Sequence, residues 1–454
     1  MTKKTFTFLF VFSLLLAQAA YGLDVPAPVE KAIQESEYLQ GCGRVTITGP
    51  PLTPTYDAMC GNVCYINQLT AKFKPNGDLY FIYPWTPRAY KRVFNLYMKN
   101  GKYQEALKLL EMLENSPVRG FSFPSFPDEI TLYNLFTLFN VTEKNEKIDR
   151  LIIEYLNKTI KTLETPGIGV EIMYGGCNKI VEIIKGSPAE KEGLKEGDVI
   201  VKINGNKLKG MDSEKIKSLL TGQEGEVREL VIERAGEEFK KSVTLAKPNS
   251  PDLLSLALSL RSLQYRLIGE LELSRQDAER SYNLSPNMDL AKDALAMVYI
   301  DKEKNNDVIK MFSNTKYKDY FASVLEATAY AKTGNYKKAL DIYSSIPWEH
   351  LPSKSGLRQV TINNFLKSME PYIDIKKNTA KSLESKGLHR EALNEYAEAL
   401  KLSDEKKAKE IRSEIGYLIK KNPYLSVIPE EARKYALRGE VMLKDGKFEE
   451  ALKE

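Results

Sequence analysis

The spacing of apolar residues changes several times along the chain, and each change marks a different kind of structure. The first 22 residues contain a run, Phe6–Ala17, that is apolar apart from Thr7 and Ser13. Residues 23–87 combine prolines with short alternating runs, which are typical of strands. From Arg88 onward, apolar residues recur every three or four positions, the period of an amphipathic helix. Residues 164–248 interrupt that period with β-branched runs between glycines. The pattern therefore predicts a multidomain α+β protein.

A spacing of glycine, a ring-bearing residue two positions later and alanine three positions after that recurs in the helical part. It is found at Gly101–Tyr103–Ala106, Gly334–Tyr336–Ala339, Gly387–His389–Ala392 and Gly446–Phe448–Ala451. The glycine permits a turn with positive φ, and the alanine lets a second helix approach the first. These units resemble the tetratricopeptide repeat, a helix–turn–helix unit of about 34 residues. The resemblance implies an α-helical solenoid that binds a peptide or protein on its concave face; an unrelated helical bundle is the alternative.

Three motifs follow one another in the central segment: Gly167–Ile172, Gly186–Leu194 and Gly197–Gly205. Together they resemble a PDZ domain, in the form found in bacterial carboxyl-terminal processing proteases. The resemblance implies a PDZ β-sandwich or barrel domain inserted into the tetratricopeptide-like solenoid. It also implies a groove in which a guest peptide extends an edge strand.

The resemblance assigns the groove residues by position. The strand side consists of Gly167, Ile168, Gly169, Val170, Glu171 and Ile172, and the helix side of Ser213, Lys217 and Leu220. The segment Gly167–Val170 matches the loop whose backbone N–H groups hold the terminal carboxylate of a peptide. Lys217 departs from the usual apolar lining, and we expect its ammonium group to lie in water at the rim. The alternatives are that Lys217 attracts an acidic side chain, or that the whole domain serves only for packing.

The first 22 residues are typical of a secretory signal peptide. Lys3 and Lys4 precede the apolar run, and Ala17-Gln18-Ala19 supplies small residues for cleavage. The chain is therefore expected to be periplasmic or secreted, with no membrane span after cleavage; an uncleaved anchor is the alternative. The formal charge is +5. Loss of the two lysines leaves too small a charge to indicate binding to nucleic acid or an anionic membrane.

Four cysteines gain significance in an oxidising compartment. Cys42 is expected to form a disulfide with Cys60 or Cys64, and spacing alone does not decide the pairing. Free thiols and a metal site are the alternatives. The only histidines, His350 and His389, are far from these cysteines. No metal and no cofactor is predicted.

The predicted domains follow these patterns. They are a signal peptide at 1–22, a cysteine-containing β-hairpin region at 23–87, helical hairpins at 88–163, a PDZ domain at 164–248, repeats at 251–353 and further repeats at 354–454. The last hairpin stops within its second helix, which favours a fragment of a longer product. The region 23–87 has no assigned chemistry.

Catalysis is not predicted, because the segment after the PDZ motifs has a helical period. A serine–lysine catalytic domain of alternating strands and helices is not indicated there. Ser255, Ser259 and Ser262 fall on one predicted helix, where they are expected to pack. We therefore expect a non-enzymatic, exported adaptor that binds peptide C-termini through its PDZ groove and other envelope proteins through its repeats. One alternative is the regulatory N-terminal part of an exported serine protease with its catalytic domain beyond the chain end. Another is an envelope assembly protein whose groove is unused.

Overall fold

The computed structural model describes residues 25–40, 42, 45–48, 56–61, 68–114, 128–141, 146–173, 177–313, 319–346 and 356–426. The predicted signal peptide and the last, truncated hairpin lie outside these ranges. The chain forms two compact units, one of Met1–Val298 with Leu351–Arg358 and one of Tyr299–His350 with Gln359–Glu454. Helical hairpins and two β-sheets are both present, so the prediction of a multidomain α+β fold is confirmed.

The first unit begins with a helix and a small antiparallel sheet. Helix α1 covers Ala27–Glu35, and the sheet has the order β1-β2-β3-β4, with bounds Val45–Thr48, Tyr56–Cys60, Leu69–Phe73 and Leu79–Pro84. The predicted hairpin is β3–β4, and Gly77 supplies its positive φ of 88°. A disulfide joins Cys42 to Cys60, whose Cα atoms are 5.5 Å apart. This disulfide decides between the two predicted partners of Cys42 in favour of Cys60. Cys64 lies outside the described ranges. Cys177 is also disulfide-bonded.

Four helices follow in the first unit. They are α2 (Pro87–Lys99), α3 (Tyr103–Glu114), α4 (Glu129–Val141) and α5 (Glu146–Glu164). Thr86 caps α2 by accepting a hydrogen bond from the amide of Ala89, which satisfies one of the free donors at a helix start. Gly101 turns the chain from α2 into α3 with φ of 66°, and Ala106 is fully buried where the two helices meet.

The second sheet occupies the centre of the chain. Its strands are β5 (Val170–Met173), β6 (Lys179–Ile183), β7 (Val199–Ile203), β8 (Asn206–Lys207), β9 (Val227–Arg234) and β10 (Glu237–Thr244), with helices α6 (Pro188–Lys191) and α7 (Ser213–Leu220) between them. The order is β10-β9-β7-β6-β5, and β8 pairs with β7. Residues from the strands and from α7 form one apolar core that includes Ile168, Ile172 and Ile232.

A buried carboxylate ties two parts of this sheet together. Asp198 is 1 % exposed, and both of its oxygens accept hydrogen bonds from Arg234, at 2.6 and 2.8 Å. It also accepts from the amide of Lys195 at 2.8 Å. A buried charge needs this degree of pairing, and the Gly-Asp pair at 197–198 therefore has a structural role.

The remaining described helices form further hairpins. They are α8 (Pro251–Leu267), α9 (Leu271–Leu284), α10 (Asp289–Asp301), α11 (Asn305–Ser313), α12 (Tyr320–Lys332), α13 (Tyr336–Ser344), α14 (Gly356–Ser368), α15 (Glu370–Ser385), α16 (His389–Lys401) and α17 (Glu405–Lys421), followed by a 3₁₀ turn at Pro423–Ser426. Gly269, Gly334 and Gly387 have φ of 76–88° at the turns of α8–α9, α12–α13 and α15–α16. Ala339 and Ala392 are fully buried.

Asp198→Ala is expected to destabilise the second sheet. The change leaves Arg234 without its carboxylate and the amide of Lys195 without an acceptor, at a cost of about 2–3 kcal/mol. Urea denaturation followed by far-UV circular dichroism measures the loss. The control is Glu226→Ala, which removes an exposed partner of Arg228 and should have the smaller effect. Equal effects of the two changes would contradict this role of Asp198.

Candidate peptide-binding groove

Strand β5 is the edge strand of the second sheet. It pairs with β6 on one side, and the strand order ends there among the described residues. Just before β5, the amide of Ile168 donates to the carbonyl of Leu220 at 3.0 Å, and Gly167 bridges to Thr221. The end of α7 therefore lies beside the start of the open strand edge.

Helix α7 is held at this edge through its last carbonyl groups. Arg228 of β9 donates to the carbonyl of Leu219 at 2.8 Å and to that of Thr221 at 2.9 Å, while Leu220 accepts from Ile168. These are the carbonyls that a helix end leaves without intrahelical partners. Their satisfaction fixes the position of α7 relative to β5.

Among the described residues, the start of β5 offers two free backbone amides, those of Gly169 and Val170. Gly167 donates to the carbonyl of Ala246 at 3.2 Å, and the amide of Ile168 is bound to Leu220. In the described part of the chain, the Gly169 amide has no acceptor. Val170 pairs with Ile183, and Ile184 donates to Gly169. This antiparallel register directs the Val170 amide away from β6. An anion at this loop would meet the amides of Gly169 and Val170.

Only glycine fits at position 169. Its φ is 80°, a left-handed conformation that costs little for glycine alone. A Cβ atom there would lie 2.2 Å from the Cβ of Ser187. Ser187 is itself buried and caps α6 through the amide of Glu190. The close approach of these two backbones explains the second glycine of the loop.

The apolar wall of the groove comes from both elements. Val170 and Ile172 of the strand side share one apolar cluster with Ile216 and Leu220 of α7. Ile168 lies in the same cluster, fully buried. The sequence analysis named Leu220 but missed Ile216 and the half-buried Leu219, although their spacing along the helix matches an apolar face.

The two polar positions named on α7 lie outside that cluster. Ser213 is half-buried at the first position of the helix. Lys217 is exposed, and its Nζ atom lies 2.7 Å from Glu214 on the same helix. This position agrees with a lysine whose ammonium group is in water.

The side chain of Glu171 lies on the face of β5 opposite to the groove. Ile172 points into the core, so the alternation of a strand turns Glu171 the other way. Glu171 pairs across the ladder with Glu182. Its Oε2 atom is shielded from solvent and has no hydrogen-bond partner among the described residues. A guest peptide in the groove would therefore meet only the backbone of Glu171.

Helix α2 packs against this second face through charged residues. Lys91, whose side chain is 9 % exposed, binds both carboxylate oxygens of Glu182 and lies 3.1 Å from Asp128. Arg88 donates to the carbonyl of Val181 at 2.7 Å and pairs with Glu196. We call Lys91, Asp128, Glu171 and Glu182 the junction cluster. It contains three carboxylates and one cation.

Burial and the excess of carboxylates shift the pKa values in the junction cluster. Burial raises the pKa of Glu171 to about 7, Glu182 adds to the rise and Lys91 opposes it. Burial also raises the pKa of Glu182, against the attraction of Lys91. Burial lowers the pKa of Lys91, but Glu182 and Asp128 outweigh it and leave a raised pKa. Glu171 therefore titrates near neutrality.

The serines of α8 are packing residues. Ser255 and Ser259 bond to the hydroxyl of Ser281 at 2.9 and 2.6 Å, and Ser262 bonds to Ser274. All three are buried, and their partners Ser274 and Ser281 lie on α9. Within the described ranges, no group of three or more His, Cys, Asp or Glu residues is arranged to hold a metal.

Comparison with known families identifies two of the modules. The PDZ domain family matches residues 179–234, which cover β6 to β9. The central domain is a PDZ domain. The PPR repeat family matches residues 88–118, which include α2 and α3. The hairpin of α2 and α3 is therefore a helical repeat, as the tetratricopeptide-like spacing predicted.

Relatives of the chain are named proteases. The carboxy-terminal processing protease CtpA of Bacillus subtilis (strain 168) is 44 % identical over 71 residues, 15 % of this chain and 15 % of that protein. A probable CtpA-like serine protease of Staphylococcus saprophyticus is 26 % identical over 179 residues, 38 % of this chain and 34 % of that protein. A solved structure, the photosystem II D1 C-terminal processing protease, aligns at 20 % identity over 34 % of this chain and 44 % of that chain, with a TM-score of 0.18.

These relatives correct one prediction. The sequence analysis expected a protein that is not an enzyme, and that prediction is wrong, because both relatives are named proteases. The prediction rested on the helical period after residue 250, which was given more weight than the resemblance of the PDZ motifs to those of processing proteases. The chain spans 15 % and 34 % of the two relatives' own lengths.

No helix in the described ranges has both the length and the apolar character that a bilayer crossing requires.

The pKa of Glu171 predicts that stability depends on pH. Between pH 4.5 and about 7, the folded chain keeps a proton that the unfolded chain has released. The free energy of unfolding therefore falls as pH rises through this window. Glu171→Gln should raise it at pH 8 by up to about 3 kcal/mol, since one pKa unit equals about 1.4 kcal/mol, and should leave it unchanged at pH 4. Urea denaturation at both pH values measures the difference.

Glu182→Gln is the matched control for this change. It removes the carboxylate that Lys91 binds and should lower stability at pH 8. If Glu171→Gln were no more stable than the original chain at pH 8, Glu171 would not carry a buried charge.

Proposed function

We propose that this chain supplies the substrate-recognition part of an exported carboxy-terminal processing protease. In this proposal the PDZ groove binds the C-terminal end of a polypeptide, and the helical repeats hold protein partners of the enzyme. The observation that carries the proposal is the open edge of β5 beside α7, with two free amides at its start. The similarity to named processing proteases supports the choice of enzyme class.

The groove chemistry favours a peptide with a free C-terminus. A peptide strand laid along β5 would bond to its unpaired backbone groups, which provides affinity without reading sequence. Its carboxylate would accept from the amides of Gly169 and Val170, and its last side chain would pack on the cluster of Val170, Ile216 and Leu220. We therefore propose an apolar last residue as the preferred substrate end.

We place the catalytic residues outside the described part of the chain. The buried serines of α8 bond to other hydroxyl and carbonyl groups, such as Ser281 and the carbonyl of Ser274. In the part of the chain that the structure describes, none of these serines is hydrogen-bonded to a lysine that would activate a serine nucleophile. The domain limits 164–248 for the PDZ domain and 88–163 for the first hairpins form part of this proposal.

Binding of short peptides to the full chain tests the proposal. Peptides with apolar C-termini and fluorescent N-termini should bind with Kd of about 1 μM, equivalent to about −8 kcal/mol. Amidated copies should bind at least about tenfold more weakly, because amidation replaces the charged carboxylate with a neutral group that accepts weaker hydrogen bonds from the free amides. Fluorescence anisotropy measures both. Indifference to amidation would contradict the groove assignment.

Two lysines of α7 provide a matched pair of variants. Lys217 is predicted at the rim of the groove, and Lys215 lies two positions away on the exposed surface of the same helix. Lys217→Trp should obstruct the groove and weaken binding by about tenfold, whereas Lys215→Trp should have little effect. Equal effects of the two variants would place the peptide elsewhere.

A further inference from the structure

A cleft separate from the PDZ groove lies in the first unit. Its volume is about 630 Å³, within the range of about 300–1,000 Å³ that is usual for ligand sites. Three segments line it: the start of α4, the segment from Glu182 to Glu190, and the start of α8. We call it the acidic cleft.

The charges that line the acidic cleft are unbalanced. Among the described residues, five carboxylates line it, against one lysine: Asp128, Glu129, Glu182, Glu190 and Asp252, with Lys185. Lys91, which does not line the cleft, compensates part of this charge through its ion pairs with Asp128 and Glu182. Glu129, Glu190 and Asp252 form no ion pair within the described ranges. Even with Lys185 and Lys91 counted, three negative charges are left uncompensated.

Two of these three carboxylates, Glu190 and Asp252, are held in place by neutral hydrogen-bond donors. Glu190 accepts from the amide of Gly186 at 2.6 Å. Asp252 accepts from the hydroxyl of Ser285 at 2.5 Å. Neutral donors of this kind orient a carboxylate and leave its negative charge available to a ligand.

The acidic cleft continues into an exposed apolar surface. Ile130 and Tyr133 line it one turn apart on α4, and they are 67 % and 45 % exposed. Helix α4 already buries Leu132, Leu135 and Leu138 on another face. Burial raises the pKa of Tyr133, and the negative charges of Glu129, Asp289 and Asp252 raise it further. Negative potential and apolar surface therefore coincide at this tyrosine.

We propose that the acidic cleft is a second binding site, which takes a basic and apolar segment of a partner polypeptide. An apolar side chain of the partner packs on Ile130 and Tyr133, and a lysine or arginine pairs with Glu129, Glu190 or Asp252. Charge complementarity identifies this partner, because an anionic segment would meet three unpaired carboxylates. Ile130 and Tyr133 line the cavity and are also well exposed, which suits a chain that places only some side chains inside it.

The chemistry of this site is opposite to that of the PDZ groove. The groove has free N–H donors for a carboxylate, whereas the acidic cleft repels one. A peptide with acetylated and amidated ends carries no terminal charge and so distinguishes the two sites. The acidic cleft is therefore testable whether or not the groove binds C-termini.

The test measures binding of two blocked peptides to the full chain by isothermal titration calorimetry. One has the sequence Leu-Arg-Phe-Arg-Leu and the other Leu-Glu-Phe-Glu-Leu, both acetylated and amidated. The first should bind and the second should not. The affinity of the arginine peptide should fall severalfold as the salt concentration rises from 50 to 300 mM, because this rise roughly halves the screening length.

Variants place the binding in the acidic cleft. Asp252→Asn and Tyr133→Ala should each weaken binding of the arginine peptide severalfold, with circular dichroism to verify folding. Asparagine can still accept from Ser285, so Asp252→Asn removes charge rather than structure. The control is Glu154→Gln, which removes an exposed carboxylate of α5 outside the cleft and should not change binding. Lys217→Trp in the groove should not change it either.

Three results would overturn the proposal. One is equal binding of the two peptides, a second is binding that Asp252→Asn and Tyr133→Ala leave unchanged, and a third is loss of binding with Lys217→Trp. The last result would assign the arginine peptide to the PDZ groove.

Discussion

The buried contact between Lys91 and Glu182 is the interaction on which the arrangement of the first unit depends. It joins helix α2 of the repeats to strand β6 of the PDZ domain, and Asp128 at the start of α4 completes it. Breaking a buried pair leaves an uncompensated charge, which costs more than the pair gains. The PDZ sheet is therefore held with one face against the helices.

This contact determines which part of the PDZ domain is available to a ligand. Glu171 and Glu182 occupy the face turned toward α2, so that face of β5 is covered. The open edge and the groove beside α7 stay accessible. The charged face also leaves excess carboxylates near α4. Asp128 and Glu182 belong to the junction cluster and also line the acidic cleft. One imbalance of charge thus underlies the pH dependence of stability and the proposed second site.

Local patterns were enough to predict the elements of the PDZ domain but not the contacts between them. The predicted strand-side residues lie on β5 and in the loop before it, and the predicted helix-side residues lie on α7, because the motifs that assigned them are local signals. The turns at Gly101, Gly334 and Gly387 follow from the same local logic. Besides burial, the charges of Glu182 and of Lys91, 80 positions earlier in the chain, affect the pKa of Glu171. The same holds for the loop amides: Ile168 donates to Leu220, 52 positions later, and Gly167 to Ala246, 79 positions later.

The amide of Val170 provides the most direct test of the account. Gly169–Val170 is the only Gly-Val pair in the sequence, so carbon-13 at glycine carbonyls and nitrogen-15 at valine amides select one signal in a correlation spectrum of the full chain. On addition of a peptide with a free apolar C-terminus, that signal is expected to shift, and an amidated copy should not shift it. A peptide that binds while the Val170 signal stays unchanged would contradict the account.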